Sequence, residues 1–430
     1  MRAAPHPTVA RAATAATGGP VVGRRRRAGF GVATVLLGLV AIVAFGVGSG
    51  TGLDATFVLS RSDDAVRLPD VTVPARATGI ALGSATTALG ALVVAGLVRR
   101  HVAVAVGVGL ALFVLALLAW AARGDDTNLV GLLDGTLFRA TPLALGAFAG
   151  LLCERAGVVN IAIEGMLLTS AFVGAVTASA AGSPWVGLAC GAAAGALLGW
   201  FLGVLSITYR VDQVIGGTVI NILALGLTSY LAARILADEP DLNQPGSFGA
   251  VGLPGLERLP VVGDLLFRNT VYVHAAFLLV PALWWGLFRT RAGLRLRAVG
   301  EQPRAAATVG IDVLRTRYRA VVLGGTVAGI GGTWFTLDST GSFNENMTAG
   351  RGFIALAALI FGRWHPVGAF VAALVFAFSE ELQTRLALLD TPVPSDFLLM
   401  LPYVVTIVAV AGLVGRSRAP AADGQPYVVE

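Results

Sequence analysis

The chain has 430 residues, of which 56% are hydrophobic and 13% charged, with a mean hydropathy of +0.78. A soluble domain is about a quarter charged because it must cover its surface with polar groups, so this composition points to a chain solvated by lipid and excludes a soluble enzyme. All 31 basic residues are arginine, so a Walker A lysine and a Schiff-base amine are both missing, and ATP-driven work is expected from a separate subunit.

The net charge of +6 comes from arginines placed between apolar stretches, where they read as topology markers; no nucleic acid partner is expected. Cys153 and Cys190 lie in or beside apolar segments without metal-ligand spacing, so no zinc site, disulfide framework or bound cofactor is expected. No catalytic residue is assigned. The four histidines, His6, His101, His274 and His365, form no HExxH and no placeable Ser/His pair, which argues against an intramembrane protease.

In chain order, residues 1–27 read as a disordered cytoplasmic tail ending in Arg24, Arg25, Arg26 and Arg27. The uncharged run Ala28–Leu53 exceeds the apolar core of a signal peptide and is expected to be a retained first span. With Ala77–Val98 and His101–Ala122 it makes residues 28–135 an extension of three membrane helices. A core follows over 136–415 and a cytoplasmic tail over 416–430. In the core, Gly165–Tyr209 is 45 residues long and must hold two spans, hinged at Gly182, Ser183 and Pro184. Further spans are expected at Gln213–Ala233, Asn269–Phe288, Ala320–Leu337 and Phe397–Gly415. Shorter apolar pieces lie at Thr136–Cys153, Gly352–Gly362 and Trp364–Ser379, the eleven-residue one being a candidate re-entrant segment.

The fold class is therefore all-α, a polytopic membrane protein of about 10–12 helices, some short or broken. Arginine-rich loops alternate with mixed or acidic ones, at Asp54–Arg76, Arg123–Asp134 and Asp238–Arg268, and this pattern fits twelve crossings with both termini cytoplasmic. Gly187, Gly191, Gly195, Gly199 and Gly203 form an i, i+4 ridge, echoed by Gly325 and Gly329, of the kind that lets helices pack closely in lipid.

Three stretches carry chemistry. In Cys153–Leu168, polar residues interrupt an apolar run: Asn160 and Glu164 are four apart on one helical face, bracketed by Gly157 and Gly165. A carboxylate at membrane depth needs a partner, a wet cavity or a proton, and a broken helix there can meet a polar solute with its backbone dipoles. The competing reading makes Asn160 an N-cap and Glu164 a first-turn carboxylate. In Leu294–Arg319, Pro303 suits a helix start and Gly310 an end, giving a short helix over Pro303–Val309 shaped to dock a cytosolic partner; a plain basic loop is the alternative. The third, Phe343–Pro366, runs polar, then glycine-rich, then apolar, and echoes the first, which hints at two related halves.

These residues resemble the membrane subunits of bacterial ABC importers for nucleosides of the basic-membrane-lipoprotein-linked type, related to branched-chain amino acid and ribose permeases. The resemblance covers roughly 136–415. It rests on Glu154-Arg-x-Gly157-Val-Val-Asn160-Ile-x-Ile-Glu164-Gly165-Met166-Leu167, on Arg297-Ala-Val-Gly-Glu301-x-Pro303-Arg-Ala-Ala with Gly310, and on Met347-Thr-Ala-Gly350-Arg-Gly352 with Phe361-Gly-Arg-Trp364. It implies a second homologous permease, a cytosolic ATPase and an extracellular solute-binding lipoprotein. It further implies that Gly300, Glu301, Pro303, Arg304 and Gly310 couple to the ATPase, and that Asn160, Glu164, Asn221, Phe343 and Asn344 lie near the solute path. An ion-coupled secondary transporter would share the broken helices and buried carboxylate, and a sugar or branched-chain amino acid would suit a related permease.

Overall fold

The computed structural model describes residues 23–60, 67–389, 391, 393, 394, 397, 400 and 418–428. The stretch 1–22 and nearly all of the expected last span, Phe397–Gly415, lie outside the described residues. Among the described residues the fold is all-α apart from two small sheets, and ten helices are long and apolar enough to cross a membrane. The chain divides into two compact units, Met1–Val58 with Pro69–Asn128, and Leu59–Leu68 with Leu129–Glu430.

The first unit holds α1 (Arg24–Val40), which continues in helical turns to Ser49, α2 (Ala75–Ala95) and α3 (Val102–Ala121). Strand β1 (Asp54–Val58) pairs antiparallel with β2 (Val71–Pro74) and parallel with β3 (Asp126–Asn128). Glycines let α1 and α2 meet backbone to backbone: a Cβ added at Gly83 would stand 2.9 Å from the Gly38 carbonyl oxygen.

The second unit begins with α4 (Leu129–Glu154), α5 (Ile163–Ala181), α6 (Pro184–Gly203, helical to Thr208) and α7 (Gln213–Leu231, helical to Leu236). The long apolar run does split at the expected hinge: Gly182 takes φ 62° and Pro184 opens α6. Asp212 starts α7 by accepting from the N–H groups of Val214 and Ile215. A loop carrying the hairpin of β4 (Ala250–Gly252) and β5 (Arg268–Thr270) leads to α8 (Val271–Arg289). Then come α9 (Arg291–Glu301), α10 (Pro303–Thr308), α11 (Val313–Trp334, helical to Ser339), α12 (Arg351–Phe361) and α13 (Pro366–Leu388).

The piece expected at Thr136–Cys153 is the later part of a 26-residue helix, because Asp134 interrupts the hydropathy without breaking the helix. α4 and α11 form the centre: 83% and 78% of their most apolar stretches are buried, against 17% for α7, the least buried of the ten. Leu143, Phe148, Leu151, Met166, Ala328, Leu359 and Phe376 join α4, α5, α11, α12 and α13 into one apolar core.

Among the described residues ten helices have full membrane length, and the eleven-residue piece expected at Gly352–Gly362 is a short helix. α12 has 11 residues, which at about 1.5 Å per residue covers roughly half of a 30 Å hydrocarbon layer. The non-helical stretch 340–350 joins the end of α11 to α12. It starts at the far end of α11, beyond Ser339, and α12 delivers the chain to Trp364, which bonds to Glu154 and Arg155 at the end where α11 begins. Within that stretch Phe343 and Thr348 are buried, while Thr340, Gly341, Asn344, Glu345, Asn346 and Ala349 are exposed.

Candidate functional site

The site forms where two interrupted helices meet. Between α4 and α5, residues 155–162 leave the helix at Gly157, whose φ is +82°; a Cβ there would stand 3.0 Å from the Ala422 carbonyl oxygen. Ile163 packs on Gly146 and Gly150, so α5 starts level with the interior of α4 and not with its end. Asn160 lies in this break, not on a helical face with Glu164, and it is not the N-cap of α5; Ala162 holds that position. The fully buried Asn160 amide donates to Cys153 Sγ (3.4 Å) and Met166 Sδ (3.8 Å).

The exposed polar ends of α5 are met by Asn221 from α7, which accepts the Gly165 N–H (2.8 Å) and donates to the Ile161 carbonyl (2.9 Å). Glu164 stands in the first turn of α5, yet its buried carboxylate serves another helix. It accepts the Thr348 hydroxyl (2.6 Å), the Gly350 N–H (2.8 Å) and the Gly352 N–H (2.6 Å) at the start of α12. Gly350 has no side chain with which to cap α12, so Glu164 satisfies amides that would otherwise be orphaned in the membrane and places a negative charge at the positive end of the helix. Three donors on one carboxylate offset its removal from water.

The second interruption, after α12, is pinned to the first. Arg363 and Trp364 turn the chain at φ 56° and 51°, the Trp364 indole donates to Glu154 (2.5 Å), and Arg155 Nε donates to the Trp364 carbonyl (2.9 Å). Burial pushes the Arg155 guanidinium down from its ordinary range, opposed by the charge of Glu301 and assisted by that of Arg297. The loop after α8 therefore bears electrostatically on the break.

Asn160, Glu164 and Asn221 are thus gathered around one break. Phe343 and Asn344 precede Thr348 in the same loop but lie apart from it: the Phe343 backbone exchanges hydrogen bonds with the Asn243 side chain, its ring packs edge-on against Phe172 at 5.2 Å, and Asn344 is exposed. In the loop after α8, Gly300 is buried and packs so closely on the Arg155 carbonyl that a methyl group has no room. Pro303 opens α10, Gly310 turns out of it at φ 81°, and Glu301 and Arg304 are exposed. The sequence pattern missed α9, an amphipathic helix started by Thr290, whose hydroxyl accepts the Gly293 N–H (3.1 Å).

The glycine ridge of α6 faces α11 and α5. A Cβ at Gly195 would run into the Gly325 carbonyl and stand 2.6 Å from Gly329 Cα. At Gly199 it would stand 3.2 Å from Gly325 Cα and at Gly203 2.9 Å from the Tyr318 ring. Gly187 meets Gly174 and Ala178, and Gly191 meets Thr333 and Ser170.

Residues beyond the sequence reading also belong here. Thr348 and Gly352 hold Glu164, and Gln213 accepts the Val159 N–H (2.7 Å). Farther along the bundle, Glu381 of α13 bonds Arg139 of α4 (2.8 Å) and Arg385 (2.9 Å), so each of these charges inside a membrane-length helix has a partner. Arg139 interrupting an apolar run was the legible signal; its partner, 242 residues away, was not.

Residues 132–410 match the family described as branched-chain amino acid transport system, permease component. The guanosine ABC transporter permease protein NupQ of Bacillus subtilis (strain 168) is 39% identical over 306 residues, covering 69% of this chain and 96% of that protein. The nucleoside ABC transporter permease protein NupC of Lactococcus lactis subsp. cremoris (strain MG1363) is 38% identical over 305 residues, covering 68% and 95%. A putative glucose ABC transporter permease protein, TsgC13 of Haloferax volcanii, is 37% identical over 255 residues, covering 59% and 77%. No solved structure matches the chain. A polytopic membrane bundle with paired helix breaks, matched over most of its second unit, places the chain in the branched-chain amino acid transport system permease family.

Proposed function

We propose that the chain is one of two homologous permease subunits of a bacterial ABC importer in the plasma membrane, with both termini in the cytoplasm and a nucleoside as its solute. The support for a nucleoside is the similarity to permeases named for guanosine and nucleosides across almost their whole length. The observation that carries the mechanism is the packing of Gly300 on Arg155. α9 and α10 are short rigid helices, so a push on them from an ATPase bears directly on the break that holds Asn160, Asn221 and Glu164. Solute capture is assigned to a separate extracellular lipoprotein and ATP hydrolysis to the cytosolic subunit; this chain supplies the path and binds no cofactor. Asn160, Glu164 and Asn221 border that path, with Phe343 and Asn344 farther along it.

The test is radiolabelled guanosine uptake in cells. It is expected to stop on ATP depletion and to continue after the proton gradient is collapsed. Replacing Glu301 or Pro303 should abolish uptake with the subunit still inserted. Uptake that follows the gradient would instead make the chain an ion-coupled carrier. The relative named for glucose supports a sugar as the second reading, and unlabelled glucose competing as well as unlabelled guanosine would favour it.

A further inference from the structure

The segment 418–428 is not a free tail. Its Ala422 N–H donates to the Gly300 carbonyl (2.9 Å) and its Ala421 N–H to the Glu301 carboxylate (3.3 Å). Ala422 is buried, Tyr427 packs on Val299, Ala306 and Val313 around α9 and α10, and Gly424 lies 3.5 Å, by its Cβ direction, from the Val159 side chain in the break. From α11, Arg317 is 1% exposed, and its Nη1 donates to the Gln425 carbonyl (2.9 Å). The Asp423 carboxyl also faces that guanidinium electrostatically. A buried guanidinium needs acceptors, and the Gln425 carbonyl is one that this segment supplies. One eleven-residue piece therefore touches the loop after α8, the break between α4 and α5, and α11.

We propose that the segment Arg418–Val428 is a working part of the coupling apparatus: it clips the 289–319 loop to the break at Gly157–Asn160, so that loop and break move as one body. This rests on the reading of that loop as the ATPase dock. A cleft of about 330 Å³ is lined jointly by Glu301, Pro303 and Arg304 and by Ala421, Gln425 and Tyr427, so a partner that enters it from α10 meets the segment as well. The segment is then both a lever arm and one wall of the dock.

The experiment uses the full chain in membranes with its second permease and its ATPase, and compares it with Tyr427→Ala and with deletion of 418–430. Three quantities are read: ATPase retained on the purified chain, ATP hydrolysis, and guanosine uptake. Guanosine imported per ATP hydrolysed should fall by about tenfold, the scale of coupling between linked sites, with retained ATPase changed by no more than about twofold. Tyr427→Phe, which keeps the ring, should restore it. An unchanged ratio in Tyr427→Ala and in the deletion overturns the clip. If the unmodified chain retains no ATPase, the reading of the loop fails, and the proposal falls with it by a different measurement. A pair of cysteines, Glu301→Cys with Ala421→Cys in a Cys153→Ala, Cys190→Ala background, tests the contact itself. Disulfide formation under mild oxidation supports the docked segment, and its failure in protein that inserts and keeps its size-exclusion peak overturns it.

Discussion

Glu164 shows how one side chain can make a short helix possible in lipid. Its carboxylate closes the donors of Thr348, Gly350 and Gly352, of which Thr348 and Gly352 are buried. Removing it strands all three, at about 1–3 kcal/mol per unsatisfied group. Glu164→Ala should therefore lower the temperature at which half the detergent-solubilised protein is lost from its size-exclusion peak, well beyond the drop for Glu164→Gln, which keeps one acceptor oxygen. Equal shifts for the two would show that the hydrogen bonds are not what holds α12. Glu164→Gln should also reduce uptake more than it reduces the amount inserted; an unchanged uptake rate leaves only the capping role.

At the scale of elements, the seam between α6 and α11 is set by what glycine lacks. Gly195→Ala forces a methyl against the Gly325 carbonyl and should cost about 1–3 kcal/mol, seen as a fall in the half-loss temperature. Gly226→Ala on α7 meets nothing within 4 Å and should be neutral or slightly stabilising. Similar effects at both positions would remove the seam as an explanation. The helices, the hinge at Gly182–Pro184 and the short helix from Pro303 were legible in the sequence, because apolar run length, proline and glycine are local signals. The direction in which Glu164 points was not, since the hydroxyl and two amides it accepts from lie 184–188 residues onward and no period records that distance. α9 was hidden by its Arg291, Arg295 and Arg297, spread over seven residues, which read as a basic loop until its buried Gly293, Val299 and Gly300 are seen.

The docked segment adds a pH dependence at the same scale. Burial raises the Asp423 carboxyl to about 7, opposed by the Gly424 N–H and by Arg317 of α11; Glu154 and Cys153 of α4 also face it, and Tyr427 lies on its own segment near Arg317. The docked state thus holds a proton that the released segment gives up near pH 4. Docking is therefore strongest in acid and is lost as pH rises from about 4 through about 7. Amide exchange at 418–428 should accelerate, after correction for the intrinsic rate, between pH 5.5 and pH 8, and Asp423→Asn should flatten that change. Faster corrected exchange at the acidic end would reverse the assignment.

For the whole molecule, the contact between Ala422 and Gly300 requires 418–428 and the 289–319 loop to share one side of the membrane, whatever route the chain takes between α13 and residue 418. α8 separates that loop from 237–268 by one crossing. In intact cells a membrane-impermeant thiol reagent should label Ala250→Cys, and it should reach Thr308→Cys and Gln425→Cys only after permeabilisation. Labelling of 308 and 425 from opposite sides would contradict the fold.

The glycine seam also limits where a solute can travel. Where α6 meets α11, main-chain atoms already occupy the space that a single methyl would need, and Gly332 of α11 presses equally hard on Leu167 of α5. Contacts this close leave no gap between those helices for anything to pass.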